Sequence, residues 1–372
     1  MVAHHGPVAA NQVVGGGIMA DVPSHAFASD NAAPAHPEVL DAIIAANHGP
    51  AASYGSDPAT ERASEVIKTT FDSPGAEVLF ALTGTAANVI ALASAARPWQ
   101  EILCSDVAHS LVDEAGGPVR LSGAQLTPLP SDDGLIAPGA LDAATARRGP
   151  VHHSQPRIVT ITQSTENGRL WTPQAIRDFV EHAHDLDLLV HVDGSRIANA
   201  VAALDVPPRE AIGDADIVTV GGTKNGLLMG DALLVRRPEC FEGIHFVQKQ
   251  IGHLSSKQRF IAAQFEAMLT DGLWLQTAAH ANAMAARLSS GLSALGLPLT
   301  SPTEANEIFV DLQPDAYAAL SARYAVHRPD ATLPTTRLVC SWATTETDVD
   351  DVLDVLAPFG PGPASTSPPF SA

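Results

Sequence analysis

The chain has 372 residues, of which 45% are hydrophobic, and this length predicts two to three domains at about 150 residues each. Acidic residues (41) outnumber basic residues (21), which gives a formal net charge of −20. This balance argues against nucleic acid as a partner, because phosphate contacts require clustered lysine and arginine. No apolar run reaches the roughly 18 residues of a membrane span, so no membrane association is expected.

The N-terminal sequence and the cysteines bear on cellular location and metal binding. The N-terminal sequence lacks the basic and apolar regions of a secretory signal. The cysteines are three in number and widely spaced, which predicts neither a disulfide framework nor a zinc site. We therefore expect a reducing cytoplasm and no metal. Residues 1–26 are predicted to form a flexible arm, and residues 359–372, rich in proline and serine, a disordered tail.

Strand and helix signals alternate through the first two thirds of the chain. An apolar run at 77–82 precedes a helical stretch at 86–96, and a β-branched strand at 157–162 precedes a helix that begins at Thr172-Pro173. Further apolar strands are predicted at 188–192, 216–220 and 232–236. Apolar strands separated by amphipathic helices indicate an α/β fold with a mainly parallel sheet covered on both faces.

The last third of the chain has a different pattern. Residues 250–298 are helical in composition, and short strand and helix signals then alternate at 308–312, 316–323, 336–340 and 347–356. We predict a large domain at 27–248 and a smaller C-terminal α+β domain at 249–358.

One turn at a predicted strand end has the properties of a phosphate site. Ligands of open α/β sheets bind beyond the carboxyl ends of the strands. Thr83-Gly84-Thr85 opens a helix there, whose free N–H groups and positive dipole end attract an anion. Gly84 allows close approach of the backbone, and the hydroxyl of Thr85 adds a donor. Taken alone, such a turn is more often only a helix cap.

Two other strand ends carry Asp193 and Lys224. A carboxylate at the end of an apolar strand needs a cationic partner, such as the protonated pyridine nitrogen of pyridoxal phosphate. A lysine in an apolar pocket has a lowered pKa and forms a Schiff base readily, and lysine is scarce in this chain. An Asp-Gly turn and a solvated loop lysine are the alternatives. The order of phosphate turn, aspartate and lysine favours a pyridoxal phosphate site.

The sequence from about residue 27 to residue 356 carries motifs that support this prediction. They are FASDN at 27–31, YGSDP at 54–58, TGTAAN at 83–88, His109 with EAGG at 114–117, QSTEN at 163–167, HVDGSR at 191–196, GTKNG at 222–226 and RLV at 337–339. On these motifs the chain resembles the threonine aldolase / β-eliminating lyase family of fold-type I pyridoxal phosphate enzymes, within it the low-specificity L-threonine aldolase branch. QSTE replaces the ENTH of many members, which puts contacts near the cofactor in doubt.

The resemblance implies a role for each matched cofactor residue. Lys224 would form the Schiff base, and Asp193 would pair with the pyridine nitrogen. His109 would stack on the ring and take the proton of the substrate hydroxyl, while Gly84 and Thr85 would hold the phosphate. Without the resemblance, His109 is equally consistent with a structural histidine among the 15 in the chain.

The resemblance also implies a carboxylate site. Ser29, Arg196 and Arg337 would bind the carboxylate of the substrate, and Arg196 would also contribute to the cofactor site. Bidentate arginine suits this task. The alternatives are a turn at Ser29, an ion pair of Arg196 with Asp193, and an edge-strand position for Arg337.

The activity implied is cleavage of a β-hydroxy-α-amino acid to glycine and an aldehyde. Other reactions on the same scaffold (such as β-elimination), a non-catalytic cofactor-binding protein and an ordinary α/β protein remain as alternatives. The resemblance further implies a homodimer or homotetramer. Lys257 or Arg259 could then reach a neighbour's phosphate, although an exposed helix charge is the better explanation of both.

Overall fold

The structure is a computed structural model that describes residues 23–360. The predicted N-terminal arm and C-terminal tail lie almost entirely outside the described residues. The strands are β1 Glu77–Ala81, β2 Gln100–Ser105, β3 Gln125–Leu129, β4 Ser131–Asp132, β5 Leu135–Ile136, β6 Gln155–Thr162, β7 Leu189–Gly194, β8 Ile217–Gly221, β9 Asp231–Val235, β10 Glu307–Asp311 and β11 Thr335–Val339.

Helices connect most of these strands. They are α1 Pro37–Ala45, α2 Pro58–Thr70, α3 Gly84–Ala95, α4 His109–Val112, α5 Gly117–Ser122, α6 Pro138–Thr145, α7 Pro173–Asp185, α8 Ile197–Leu204, α9 Pro208–Ile212, α10 Ile244–Gln250, α11 Arg259–Thr270, α12 Leu273–Ala294, α13 Pro314–Ser321 and α14 Glu346–Leu356. Two short 3-10 turns, Asp30–Ala32 and Thr223–Asn225, lie near the predicted site residues. Among residues 23–360, no helix is long and apolar enough to cross a membrane.

Seven strands form the central sheet in the order β1-β9-β8-β7-β6-β2-β3. The pairs from β8 through β3 are parallel, whereas β9 runs antiparallel to both β1 and β8. The prediction of a mainly parallel sheet is therefore confirmed. The reversal of β9 follows from its short connection to β8, because a parallel crossover needs about a dozen residues or more.

Helices cover both faces of this sheet, as the apolar strands predict. On one face α7 buries the stripe Ile176, Phe179, Val180 and Ala183, the same residues that mark its apolar face in the sequence. Its N-terminus is capped by the side chain of Thr172, which accepts a hydrogen bond from the Ala175 N–H group. On the opposite face α3 is buried along almost its whole length.

A second hydrophobic core lies between the β10–β11 pair and helices α12, α13 and α14. It contains Phe27 and begins on α12 at Met284. By contrast, α11 and the first half of α12, up to Ala278, belong to the core of the large sheet. The two cores thus divide within α12, later than the predicted boundary at residue 249, because helical composition does not reveal which sheet a helix covers.

Two glycines bring the ends of β7 and β8 together. A Cβ atom at Gly194 would lie 2.3 Å from the carbonyl oxygen of Thr219, and one at Gly221 would lie 2.2 Å from that of Ser195. No side chain fits either gap. The turn after β7 therefore packs directly on β8, which places the two predicted strand-end residues at one edge of the sheet.

We predict that Gly194→Ala lowers the free energy of unfolding by about 1–3 kcal/mol, the usual cost of overpacking a filled site. Urea unfolding followed by circular dichroism measures this change. The control is Gly139→Ala in α6, where a Cβ meets no atom within 4 Å and alanine is the better helix former. Equal stability of the two variants would show that the contact between the strand ends is not tight.

Candidate active site

The carboxyl ends of the parallel strands open onto two adjoining cavities. The first, about 250 Å³, is lined by residues that include Gly84, Thr85, His109 and Lys224. The second, about 540 Å³, shares His109 and Lys224 with the first and extends to Ser29, Asp193, Arg196 and Arg337. The structure therefore brings all eight predicted site residues to the walls of one connected space.

The turn at the start of α3 forms one wall of the smaller cavity. The side chain of Thr83 caps the helix by accepting a hydrogen bond from the Ala86 N–H group at 3.2 Å. The first N–H groups of a helix have no acceptor within the helix, and Thr85 is exposed beside them. A Cβ at Gly84 would lie 3.6 Å from the hydroxyl oxygen of Ser195. The turn thus presents backbone N–H groups and the Thr85 hydroxyl, which can bind an anion, to the smaller cavity.

Asp193 is a buried carboxylate held by hydrogen bonds. Its Oδ1 accepts from the N–H and hydroxyl groups of Ser195 at 3.0 and 2.7 Å, and its Oδ2 accepts from the Asn88 amide at 2.7 Å. Burial opposes ionisation, but the charge of Lys224 and the hydrogen bonds from Ser195 outweigh it and lower the pKa of Asp193. The carboxylate is therefore negative at neutral pH and able to neutralise a bound cation.

His191, part of the same sequence motif, has a structural role. Its ring lies between the hydroxyl groups of Thr160 and Thr219, at 2.8 and 3.1 Å. Burial lowers its pKa to about 4, so the ring is neutral at neutral pH.

Lys224 lies in the 3-10 turn after β8, between the two cavities. Burial and the neighbouring charge of Arg196 lower the pKa of its amine. Asp231 holds the turn, because its carboxylate accepts from the Gly222 N–H group at 3.0 Å. A positioned amine of lowered pKa is what nucleophilic lysine chemistry requires.

His109 begins α4 and is fixed by two glutamates that the sequence did not single out as functional. Its Nδ1 lies 2.9 Å from Glu114, and its backbone N–H donates to Glu166 at 2.8 Å. The hydrogen bond to Glu114 raises the pKa of His109 against the opposing effect of burial. The Asn88 amide reaches both Glu114 and Asp193, which links the histidine to the buried aspartate.

Glu166 occupies the position at which QSTE departs from the pattern of many family members. Its Oε1 also accepts from the Thr162 hydroxyl at 2.7 Å, while Oε2 is buried without a hydrogen-bond partner among the described residues. Burial raises the pKa of Glu166 to about 6. A second titratable group therefore lies beside His109 on the wall of the larger cavity.

The far end of this cavity is built from charged pairs. Arg196 binds Asp30 through two hydrogen bonds of 2.7 and 3.1 Å and lies 3.2 Å from Glu307. The other arginine, Arg337 on β11, lies 3.7 Å from Glu307. Arg196 thus pairs with Asp30 rather than with Asp193. Ser29 caps the turn that carries Asp30 by accepting from the Asn31 N–H group.

The arrangement as a whole resembles known structures. The chain aligns with Leishmania major threonine aldolase at a TM-score of 0.85, with 28% identity over 91% of this chain and 100% of that one. A serine palmitoyltransferase from S. paucimobilis with bound PLP shares the fold at 17% identity, with a TM-score of 0.66 over 91% of this chain and 86% of the other. The fold is therefore that of the fold-type I enzymes, as predicted.

Sequence comparison then gives the family. The model of the beta-eliminating lyase family matches residues 26–315. A low specificity L-threonine aldolase from a Pseudomonas species is 37% identical over 333 residues, which cover 88% of this chain and 96% of the relative. The chain belongs to the beta-eliminating lyase family, and the predicted resemblance is confirmed.

Proposed function

We propose that the protein is a pyridoxal phosphate-dependent carbon–carbon lyase that cleaves β-hydroxy-α-amino acids of the L-threonine type to glycine and an aldehyde. One observation carries the proposal: a helix-terminal turn, the ionised Asp193 and the amine of Lys224 surround one space, with two arginines at its far end. The similarity to low specificity L-threonine aldolase over most of the chain supports the reaction.

The residues present fit the cofactor. The buried carboxylate of Asp193 matches a protonated pyridine nitrogen, and the turn at Gly84 and Thr85 matches a phosphate. Lys224 would hold the cofactor covalently. When bound, the cofactor supplies an electron sink for the negative charge that develops at the substrate α-carbon. The bound PLP of the structurally similar serine palmitoyltransferase supports this assignment.

The other residues bind the substrate and move a proton. Arg196 and Arg337 hold its carboxylate through charge-assisted hydrogen bonds, and Ser29 lies beside them. His109 takes the proton from the β-hydroxyl group as the carbon–carbon bond breaks, with its ring oriented by Glu114. His109 then releases this proton, and the α-carbon takes up one proton in its place, so glycine and the aldehyde form with no net change in protons.

We predict that Lys224→Ala abolishes aldehyde release and the Schiff-base absorbance band of protein supplied with pyridoxal phosphate and freed of unbound cofactor, because the amine that forms the Schiff base is lost. Purified protein is tested with L-threonine, L-allo-threonine, D-threonine and phenylserine, and aldehyde and glycine are measured. Lys68→Ala is the control, since Lys68 pairs with Glu65 on α2 away from the site.

The products separate this proposal from its alternatives. Keto acid and ammonia in place of aldehyde and glycine would indicate β-elimination, and absorbance without any product would indicate a cofactor-binding protein. Wild-type absorbance in the Lys224→Ala variant would overturn the cofactor assignment.

A homodimer or homotetramer and a cytoplasmic location are also part of the proposal. Four large apolar side chains are exposed on α1 and before β9, namely Leu40, Ile44, Leu228 and Met229. Exposed apolar side chains of this kind favour a subunit interface that would bury them, which supports assembly. The three unpaired cysteines support a reducing compartment. Light scattering after gel filtration is expected to give two or four times the chain mass of 38.6 kDa, and a monomer would contradict the assembly.

A further inference from the structure

The two arginines at the far end of the larger cavity are already paired with two buried carboxylates. Arg196 and Arg337 face Asp30 and Glu307, so two positive charges meet two negative charges before any ligand enters. A substrate carboxylate bound by the same arginines adds a third negative charge. Like charges at short range in a buried site strongly disfavour joint ionisation.

The two resident carboxylates are held very differently. Asp30 accepts two hydrogen bonds from Arg196 and one from the Asn306 amide at 3.1 Å. The side chain of Glu307 is fully buried, yet neither of its oxygens has a hydrogen-bond partner among the described residues. The cations that pair with it are Arg196 and Arg337, at 3.2 and 3.7 Å. Protonation of Glu307 therefore breaks fewer hydrogen bonds than protonation of Asp30.

We propose that Glu307 is a positioning residue that holds the two arginines in place while the site is empty and takes up a proton when a substrate carboxylate binds to them. The inference rests on the proposed function, because it assigns the arginines to the substrate carboxylate. This proton uptake makes the affinity for substrate depend on pH. Glu307 contacts the two arginines and does not contact the atoms that react.

The electrostatic surroundings of Glu307 are consistent with this role. Burial raises its pKa, and the positive charges of Arg196, Arg337 and Lys224 oppose that rise while Asp30 adds to it. A ligand carboxylate that engages the arginines weakens their opposing effect and raises the pKa further. Glu307 then binds a proton over the pH range between its two pKa values.

The remaining charged groups on the elements packed against Glu307 are engaged elsewhere or lie farther along the cavity. Gly168 packs on the Glu307 backbone and side chain, and the adjacent Arg169 is paired with Asp133 and Glu304. On α12, His280 binds the Thr344 carbonyl and Arg287 binds Asp350. His327, opposite Arg337 on the strand edge, also lines the cavity, as do His109 and Glu166. The contribution of Glu307 is therefore measured by comparing the wild type with a variant in which only the charge of Glu307 is removed.

The test uses the protein loaded with pyridoxal phosphate and the probe 3-hydroxybutanoate. This compound has the carboxylate and hydroxyl groups of threonine but no amine, so it binds without reacting. Calorimetry in two buffers of different ionisation enthalpy gives the number of protons taken up per ligand. We expect net proton uptake by the wild type at pH values between the pKa of Glu307 in the empty site and its higher pKa in the occupied site, and a Kd that rises by up to about tenfold per pH unit across that range.

Glu307→Gln keeps the shape of the side chain but removes its charge. We expect this variant to lose that proton uptake, to bind 3-hydroxybutanoate more tightly than the wild type at the upper end of that pH range, and to show a flatter pH profile. The KM for L-threonine is expected to fall in parallel without a rise in kcat. The matched control is Glu304→Gln on the same segment, which pairs with Arg169 and is expected to behave like the wild type.

The outcomes distinguish this inference from the proposed function. Proton uptake by the wild type that is lost in Glu307→Gln supports the inference even if no aldehyde is formed from any substrate. Aldehyde release without proton uptake, or equal uptake by both proteins, overturns it and leaves the proposed reaction standing. Failure of the wild type to bind 3-hydroxybutanoate overturns it as well.

Discussion

The site depends on keeping the carboxylate of Asp193 ionised inside the protein. An isolated buried carboxylate would take up a proton, because desolvation disfavours its charge. Ser195 and Asn88 supply three hydrogen bonds to it, and Lys224 supplies a nearby positive charge. The close packing of the β7 turn on β8, which only glycine permits, makes this arrangement possible.

From Asp193 the polar contacts extend in two directions. Through Asn88 they reach Glu114 and His109, which places the proposed proton acceptor in a fixed orientation. On the other side, Arg196 pairs with Asp30 and Glu307 in a separate charged cluster, which we propose as the binding site of the substrate carboxylate. The proposed site thus has a region for a cationic ring, a proton acceptor and a carboxylate pocket, and each is stabilised by different charges and hydrogen bonds.

The sequence predicted the parts of this site that follow from strand order. Asp193 and Lys224 each end an apolar strand, and parallel strands bring such ends to the same edge, so their meeting was predictable. Likewise, the apolar stripe of α7 was visible as a helical period. The motifs of the family added His109, Ser29 and the two arginines.

What the sequence did not reveal depends on contacts between distant segments. Arg196 meets Asp30, and Arg337 meets Glu307, across separations that a single sequence does not encode. Strand β2 was missed because only three of its six residues, Ile102, Leu103 and Cys104, are apolar, and β3 because it carries polar residues and a proline. The assignment of α11 to the large core depends on its packing against α1 and α2, which composition does not show.

The most direct test of this account removes the charge of Asp193 without changing its shape. Asp193→Asn is compared with Asp205→Asn, an exposed position of positive φ that asparagine tolerates. Aldehyde release from L-threonine is measured in protein saturated with pyridoxal phosphate. Because loss of one partner of a buried ion pair costs about 3–5 kcal/mol, and the same loss in the transition state slows the reaction tenfold per 1.36 kcal/mol, we predict a rate about 10²–10⁴-fold below that of the control. An Asp193→Asn variant as active as the control would contradict the account.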